Sequence, residues 1–125
     1  MASITIGQME AQISAAIINF EKEYMGRGPK EIKTYIIKDM IFIRLKGVLT
    51  PAEEQLAKTD DGANLIKRIR VQLLESAKVL LNSIIREITG CTVLSLHSDI
   101  STKTGERIIV FTLNEDLEED LIASR

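Results

Sequence analysis

The feature that most constrains this chain is a long run of regularly spaced apolar residues between positions 63 and 89. These residues recur at intervals of three and four up to Gly90, which is the spacing of one long helix. At about 100° per residue they cover roughly 200° of the circumference, twice the stripe of about 100° that one core contact needs. Either the first helix and the sheet cover this whole arc, or a second copy of the chain covers part of it.

An earlier helix is predicted from Ile6 to Met25, because its apolar residues form one face. Thr5 and Gln8 have the spacing of a capping box, and Gly26 ends the helix. Two strands, at 31–37 and 40–49, follow with only Lys38 and Asp39 between them, so a tight hairpin is expected.

A short helix begins at Thr50 and Pro51, where Thr50 is the cap and Glu53 completes a second capping box. It is expected to end near Lys58. The last two strands are predicted at 92–98 and 106–113, and residues 114–125 are read as an acidic tail, either a frayed helix or a flexible end.

The predicted order of elements is therefore α-β-β-α-α-β-β. It indicates an α+β domain in which two hairpins form a four-stranded antiparallel sheet, with two main helices and one short helix on one face. A length of 125 residues predicts one domain, spanning 1–125.

Composition argues against several classes of function. The net charge is −2 and five residues are aromatic, which does not favour a nucleic-acid partner. Basic residues in "IKRIR" (66–70) are read as a solvated helix face.

No apolar run approaches the roughly 20 residues of a membrane span, so no direct membrane insertion is expected. Cys91, the only cysteine, is expected in the core of a cytoplasmic protein.

Catalytic and metal sites are not expected. His97, Ser98 and Asp99 look like a catalytic triplet, but neighbours along a strand point to opposite faces. Asp60 and Asp61 suit a helix N-terminus, and no further ligands at fixed offsets accompany them. We therefore predict no catalytic residues, no metal and no cofactor.

The best candidate site is the polar segment 99–105, which is longer than most hairpin loops. Its hydroxyls, lysine and glycine are suited to cradle a phosphate or carboxylate, although the same residue types are also common in simple turns. Basic residues in the "GRGPK" turn (26–30) are added as possible partners. The predicted ligand-binding residues are Asp99, Ser101, Thr102, Lys103, Thr104, Gly105, Arg27 and Lys30.

Three stretches carry a family resemblance: "GRGPKEIKTYIIKDMIFIRLKGVLTPAEEQLA" (26–57), "LLNSIIREITG" (80–90) and "VLSLHSDISTKTGERIIVFTL" (93–113). Together they resemble the bacterial MpsC-like family, named as component C of a sodium-translocating, membrane-potential-generating system. The resemblance implies a small protein associated with a membrane cation-transport or inorganic-carbon-uptake system. It assigns no catalytic residues.

Two functions follow as expectations. The first is a non-enzymatic cytoplasmic accessory or regulatory subunit, associated with membrane transport proteins and homodimeric through helix 63–89. The alternative is a sensor domain that binds a small anion or other ligand with the 99–105 loop.

Overall fold

The computed structural model describes residues 4–124, which form four helices and four strands. The first seven elements follow the predicted order, and a fourth helix comes last. The elements are α1 (Ile6–Met25), β1 (Glu31–Ile37), β2 (Met40–Lys46), α2 (Pro51–Leu56), α3 (Asp60–Thr89), β3 (Val93–Ser101), β4 (Glu106–Leu113) and α4 (Leu117–Ala123). The strands form one sheet in the order β1-β2-β4-β3, with all neighbours antiparallel. The predicted α+β class and antiparallel sheet are confirmed.

Local sequence signals set several boundaries. Thr5 and Gln8 form the predicted capping box at α1, and Thr50 and Glu53 form the one at α2. Gly26 and Gly90 end α1 and α3 in the left-handed conformation, with φ of 90° and 75°.

Three predicted boundaries were wrong. β2 ends at Lys46 instead of Leu49, because Gly47 has a φ of 67° and the apolar residues after it turn into the core. β3 continues to Ser101, so the loop before β4 is four residues instead of seven. α3 begins at Asp60, with the Thr59 side chain accepting a hydrogen bond from Gly62 N at 3.0 Å. In the acidic segment, α4 packs two buried leucines into the core.

One face of the sheet carries the core. Ile41, Ile43 and Leu45 on β2 are fully buried, in one cluster with Ile13 and Ile17 of α1. Alternate residues face the other way and are exposed or half-buried. The helices of the described chain therefore cover one face and leave the other open.

The wide apolar arc of α3 is only partly covered. Ile66, Leu81 and Ile85 are buried in the core, whereas the side chains of Ile69 and Leu80 remain 46% and 39% exposed. Part of the arc therefore remains exposed. A homodimer through residues 63–89 stays a prediction.

Two ion pairs lie beneath α3. Arg70, expected on a solvated face, is in fact buried, and it binds Glu53 through Nε–Oε2 (2.9 Å) and Nη2–Oε1 (2.7 Å). Its Nη2 also donates to the carbonyl oxygen of Val48 at 3.0 Å. Burial works to raise the pKa of Glu53, but hydrogen bonds from Arg70 and from Thr50 N outweigh it and hold that pKa below its usual value.

The second pair, Glu21 and Arg107, is buried more completely. Arg107 Nη1 lies 3.6 Å from Glu21 Oε1, and Arg107 Nε donates to Ser98 Oγ at 3.2 Å. Within residues 4–124 neither carboxylate oxygen of Glu21 has a hydrogen-bond partner. Burial therefore raises the pKa of Glu21, against the opposing charges of Arg107 and Arg70.

A glycine permits the close contact between α2 and α3. A Cβ on Gly62 would lie 1.8 Å from the carbonyl oxygen of Leu56, the last residue of α2. Any side chain at position 62 must therefore push α2 away from α3.

We expect Gly62→Ala to lower the free energy of unfolding by about 1–3 kcal/mol, the usual cost of overpacking. Gly7→Ala is the matched control, because its nearest neighbour would be 4.0 Å away and alanine favours a helix by roughly 0.5–1 kcal/mol. Urea denaturation of the two variants checks this. Equal stability of Gly62→Ala and the native chain would contradict the contact.

We expect Glu53→Gln to destabilise the protein by about 2–4 kcal/mol near neutral pH, because it leaves the Arg70 charge buried without its partner. The pKa of Glu53 is lowered by folding, so its stabilisation is present above the unfolded value near 4.5 and is lost as the pH falls through the folded value. The difference between variant and native chain should therefore shrink in acid.

Urea denaturation over a pH series measures this difference, with Glu54→Gln as the control on the same helix turn. A pH-independent difference would show that Glu53 acts through packing alone. The double variant Glu53→Gln, Arg70→Met should recover part of the loss, since it removes the unpaired charge as well.

Candidate functional site

The predicted ligand residues fall into two groups. Thr102 to Gly105 form the β3–β4 turn, whereas Asp99 and Ser101 belong to β3. Lys30, just before β1, lines the same cavity as the turn. Arg27 is not part of this group, because its guanidinium donates to the carbonyl oxygens of Leu49 (3.2 Å) and Gly28 (3.4 Å).

A cavity of about 370 Å³ lies between the turn and α2, and we call it the lysine groove. Five of the eight predicted residues line it. They are Lys30, Thr102, Lys103, Thr104 and Gly105. The remaining lining comes from the segment after β2 and from α2, which contribute Gly47, Leu49, Glu54, Ala57 and Lys58.

Backbone contacts fix the floor of the lysine groove. Val48 N donates to the carbonyl oxygen of Gly105 at 3.1 Å, and Gly105 N donates to that of Ser101 at 2.8 Å. Gly105 has a φ of 72°, a conformation that glycine adopts without strain. The turn is thereby held against the segment that leads from β2 to α2.

Lys30 is positioned by a second glycine. Its backbone N donates to the carbonyl oxygen of Lys46 at 2.8 Å, and its side-chain stem crosses Gly47. A Cβ on Gly47 would lie 2.7 Å from both Cγ and Cδ of Lys30, so the contact requires glycine. The stem is thus directed along the groove wall.

The groove is strongly cationic for a chain of net charge −2. Lys30, Lys58 and Lys103 line it, against the single carboxylate of Glu54. Lys58 Nζ donates to Gln55 Oε1 at 2.9 Å, while Lys30 and Lys103 form no ion pair within the described residues. Two free ammonium groups and the Thr102 hydroxyl suit a phosphate or carboxylate ligand.

Two of the predicted hydroxyls serve the turn. Ser101 Oγ accepts from Thr104 N at 3.3 Å, and Thr104 Oγ1 accepts from Glu106 N at 3.3 Å. Asp99 Oδ1 accepts from Ile100 N at 2.8 Å. Asp99 and Ser101 line a separate open depression on the other side of the turn, beside Lys67.

The triplet at 97–99 does not converge, as strand alternation predicts. Ser98 points inward to Arg107, whereas the His97 ring lies on the open face, with Nε2 3.2 Å from Ser95 Oγ. Among residues 4–124, no cluster of histidine, cysteine and acidic side chains is suited to hold a metal ion.

The contributions of α2 to the site were missed from the sequence. Lys58 and Glu54 reach the groove only because Arg70 and Gly62 hold α2 against α3. The one usable signal was the unusual pairing of a strong capping box with a helix too short to be stable alone.

A smaller cavity of about 90 Å³ was also missed, between α3 and β3. Its polar lining is formed by Lys67, Arg70, Ser98, Asp99 and Arg107, and Arg70 Nη1 has no hydrogen-bond partner within the described chain. Its walls are otherwise largely apolar, with Val71, Leu74 and Ile100 among them.

Comparison with known proteins places the chain in a family. Residues 5–115 match the family model "Na+-translocating membrane potential-generating system (MpsC)". YbcI of Bacillus subtilis (strain 168), described as an uncharacterized protein, is 47% identical over 115 residues, covering 92% of this chain and 93% of YbcI. YrhF of the same organism, also described as uncharacterized, is 27% identical over 105 residues, covering 82% and 85% of the two chains.

No solved structure matches this chain. Within residues 4–124, none of the helices combines the length and the apolar character needed to cross a lipid bilayer. The match over residues 5–115 and the close relation to YbcI show that this chain belongs to the MpsC family.

Proposed function

We propose that this chain is a non-enzymatic accessory or regulatory subunit of a bacterial membrane cation-transport or inorganic-carbon-uptake system, and that it acts in the cytoplasm. The family description supports the association with sodium translocation. The lysine groove supports a regulatory role, because it is preformed, cationic and built from four segments of the chain. The subunit reports the level of a small anion to the transport proteins with which it associates.

The unpaired ammonium groups of Lys30 and Lys103 are the observation that carries the binding role. The backbone of Lys30 is bonded to that of Lys46, and Lys103 lies in the turn that Gly105 closes. Neither ammonium group forms an ion pair within the described chain. A bound oxyanion supplies the missing counter-charge. The volume of about 370 Å³ accommodates a ligand larger than inorganic phosphate alone.

Among residues 4–124 no acid, base and nucleophile converge, and this favours binding over catalysis. His97 lies on the open face of the sheet and Cys91 is buried. Glu54 is the one carboxylate in the groove lining, and within the described residues no hydrogen bond joins it to a hydroxyl of the turn.

A sensor that works without a transport partner is the second candidate. The lysine groove supports this sensor equally well. Association with a membrane protein distinguishes the accessory subunit from the sensor. If the ligand binds but no membrane protein accompanies the chain from cells, the sensor is the better description.

We expect isothermal titration to show binding of one or more of inorganic phosphate, bicarbonate and a nucleoside phosphate. The double variant Lys30→Gln, Lys103→Gln should weaken it a hundredfold or more, because hydrogen bonds to charged groups contribute about 1.5–3 kcal/mol each. Affinity should also fall with added salt. Lys78→Gln, outside the groove, is the control and should bind normally.

Unchanged binding in the double variant would show that the anion binds outside the lysine groove. If none of the three anions binds, the proposed anion-binding role of the lysine groove is wrong.

We expect the chain, purified from membranes solubilised in mild detergent, to carry a membrane transport protein with it. Deletion of its gene should alter growth under sodium stress or limiting bicarbonate, and the native chain should restore it. Purification without any membrane protein, together with normal growth of the deletion strain, would contradict the role as a subunit.

A further inference from the structure

The open face of the sheet has an apolar centre. Tyr35, Phe42, Val110 and His97 lie opposite one another across all four strands, as the strand register requires. The next row, toward the β1–β2 turn, is formed by Ile37, Met40, Thr112 and Ser95.

These two rows are incompletely covered. Tyr35 and Ile37 are 45% and 44% exposed, and Phe42 and Val110 are half-buried. The hydrogen bond between Ser14 of α1 and Thr34 of β1 (2.8 Å) lies on the opposite face. At the β3 edge, Lys67 of α3 lies beside Asp99 and Ser101. An apolar patch of this kind marks an interaction surface.

Charges on the open face are separated between the two halves of the sheet. β1 and β2 carry Lys33, Arg44 and Lys46, with Glu31 as their one carboxylate. β3 and β4 carry Asp99 and Glu106 and no lysine or arginine on this face. One half is therefore cationic and the other anionic.

The charged positions also share rows. Lys33 and Asp99 lie in the same row at opposite edges of the sheet, joined through Arg44 and Ile108. Lys46 and Glu106 occupy the next row on the two central strands, by continuation of the same register.

We propose that a second copy of this chain covers the open face, with the two sheets face to face and a two-fold axis running parallel to the strands between β2 and β4. This axis places β1 over the partner's β3 and β2 over the partner's β4. Each row then faces the same row of the second copy, with the order of its four residues reversed.

Row-by-row pairing makes the face self-complementary. Lys33 faces Asp99 of the second copy and Lys46 faces Glu106, each twice in the dimer. Within one chain Glu106 already binds Arg44 at 2.6 Å and Lys46 lies 3.8 Å from Glu31, so the pairing of Lys33 with Asp99 carries the charge complementarity. In the apolar rows, Phe42 faces Val110 and Tyr35 faces His97. The interface is isologous, as a two-fold dimer requires.

The usual rotation between packed sheets does not disturb this pairing. Stacked sheets are about 10 Å apart and rotated by about 30°. An edge strand lies roughly 7 Å from the axis, so the rotation displaces facing positions by only about 3.6 Å. A lysine side chain spans that displacement.

Charge decides against the other face-to-face arrangement. A two-fold axis perpendicular to the strands places β1 over the partner's β1. With the central row on that axis, Lys33 faces Ile37, which desolvates its ammonium group on an apolar side chain without a counter-charge. Arg44, which binds Glu106 of its own chain at 2.6 Å, faces Met40.

The first test is the oligomeric state. Sedimentation equilibrium from low to high micromolar concentration should show a reversible dimer. Val110→Lys, which places a charge at the centre of the face without touching the core, should weaken it a hundredfold or more. Leu94→Lys is the matched control, because Leu94 is exposed on the edge strand at the irregularity between Val93 and Ser95.

The second test is specific for the pairing of Lys33 with Asp99. Lys33→Asp and Asp99→Lys should each weaken the homodimer tenfold or more, since each places two like-charged pairs in the interface. A mixture of the two variants should form a heterodimer with near-native affinity. Circular dichroism of each variant confirms that its fold is intact.

Three results would overturn the proposal. A monomer at every concentration removes the dimer. A dimer that survives Val110→Lys but is lost in Ile69→Lys assigns the interface to α3. A mixture of the charge variants that forms no heterodimer rejects this axis.

Discussion

The ion pair between Arg70 and Glu53 joins the segments on which the remaining structure depends. Arg70 is on α3, Glu53 is on α2, and the Val48 carbonyl that accepts the third hydrogen bond belongs to the chain between β2 and α2. A guanidinium offers several donors in one fixed plane, so a single side chain sets the relative position of three segments. The shape of the lysine groove follows from it, because α2 supplies one wall.

The sequence predicted best what local physics decides. The capping box at Thr5 and the glycine at 26 define α1 without reference to the rest of the chain, and the predicted and observed bounds agree. β2 was extended too far because Val48 and Leu49 continue its apolar pattern. Only the positive φ of Gly47, which turns them into the core, ends the strand.

Tertiary contacts account for what was missed. The polar residues of β3 looked like a loop, but an edge strand tolerates Asp99 and Ser101 where they face water. Arg70 was assigned to solvent because burial of a charge depends on a partner 17 positions away. The turn and Lys30 were recognised as a candidate site, whereas Lys58 enters that site only through the docking of α2.

The buried thiol has a practical consequence for experiments on this protein. Cys91 is 2% exposed at the junction of α3 and β3, and burial raises its pKa, so little reactive thiolate reaches solvent. Labelling reagents should therefore leave it unmodified in the folded chain. A cysteine introduced on any surface can then carry a spin label or fluorophore in the native background, which makes distances between copies directly measurable.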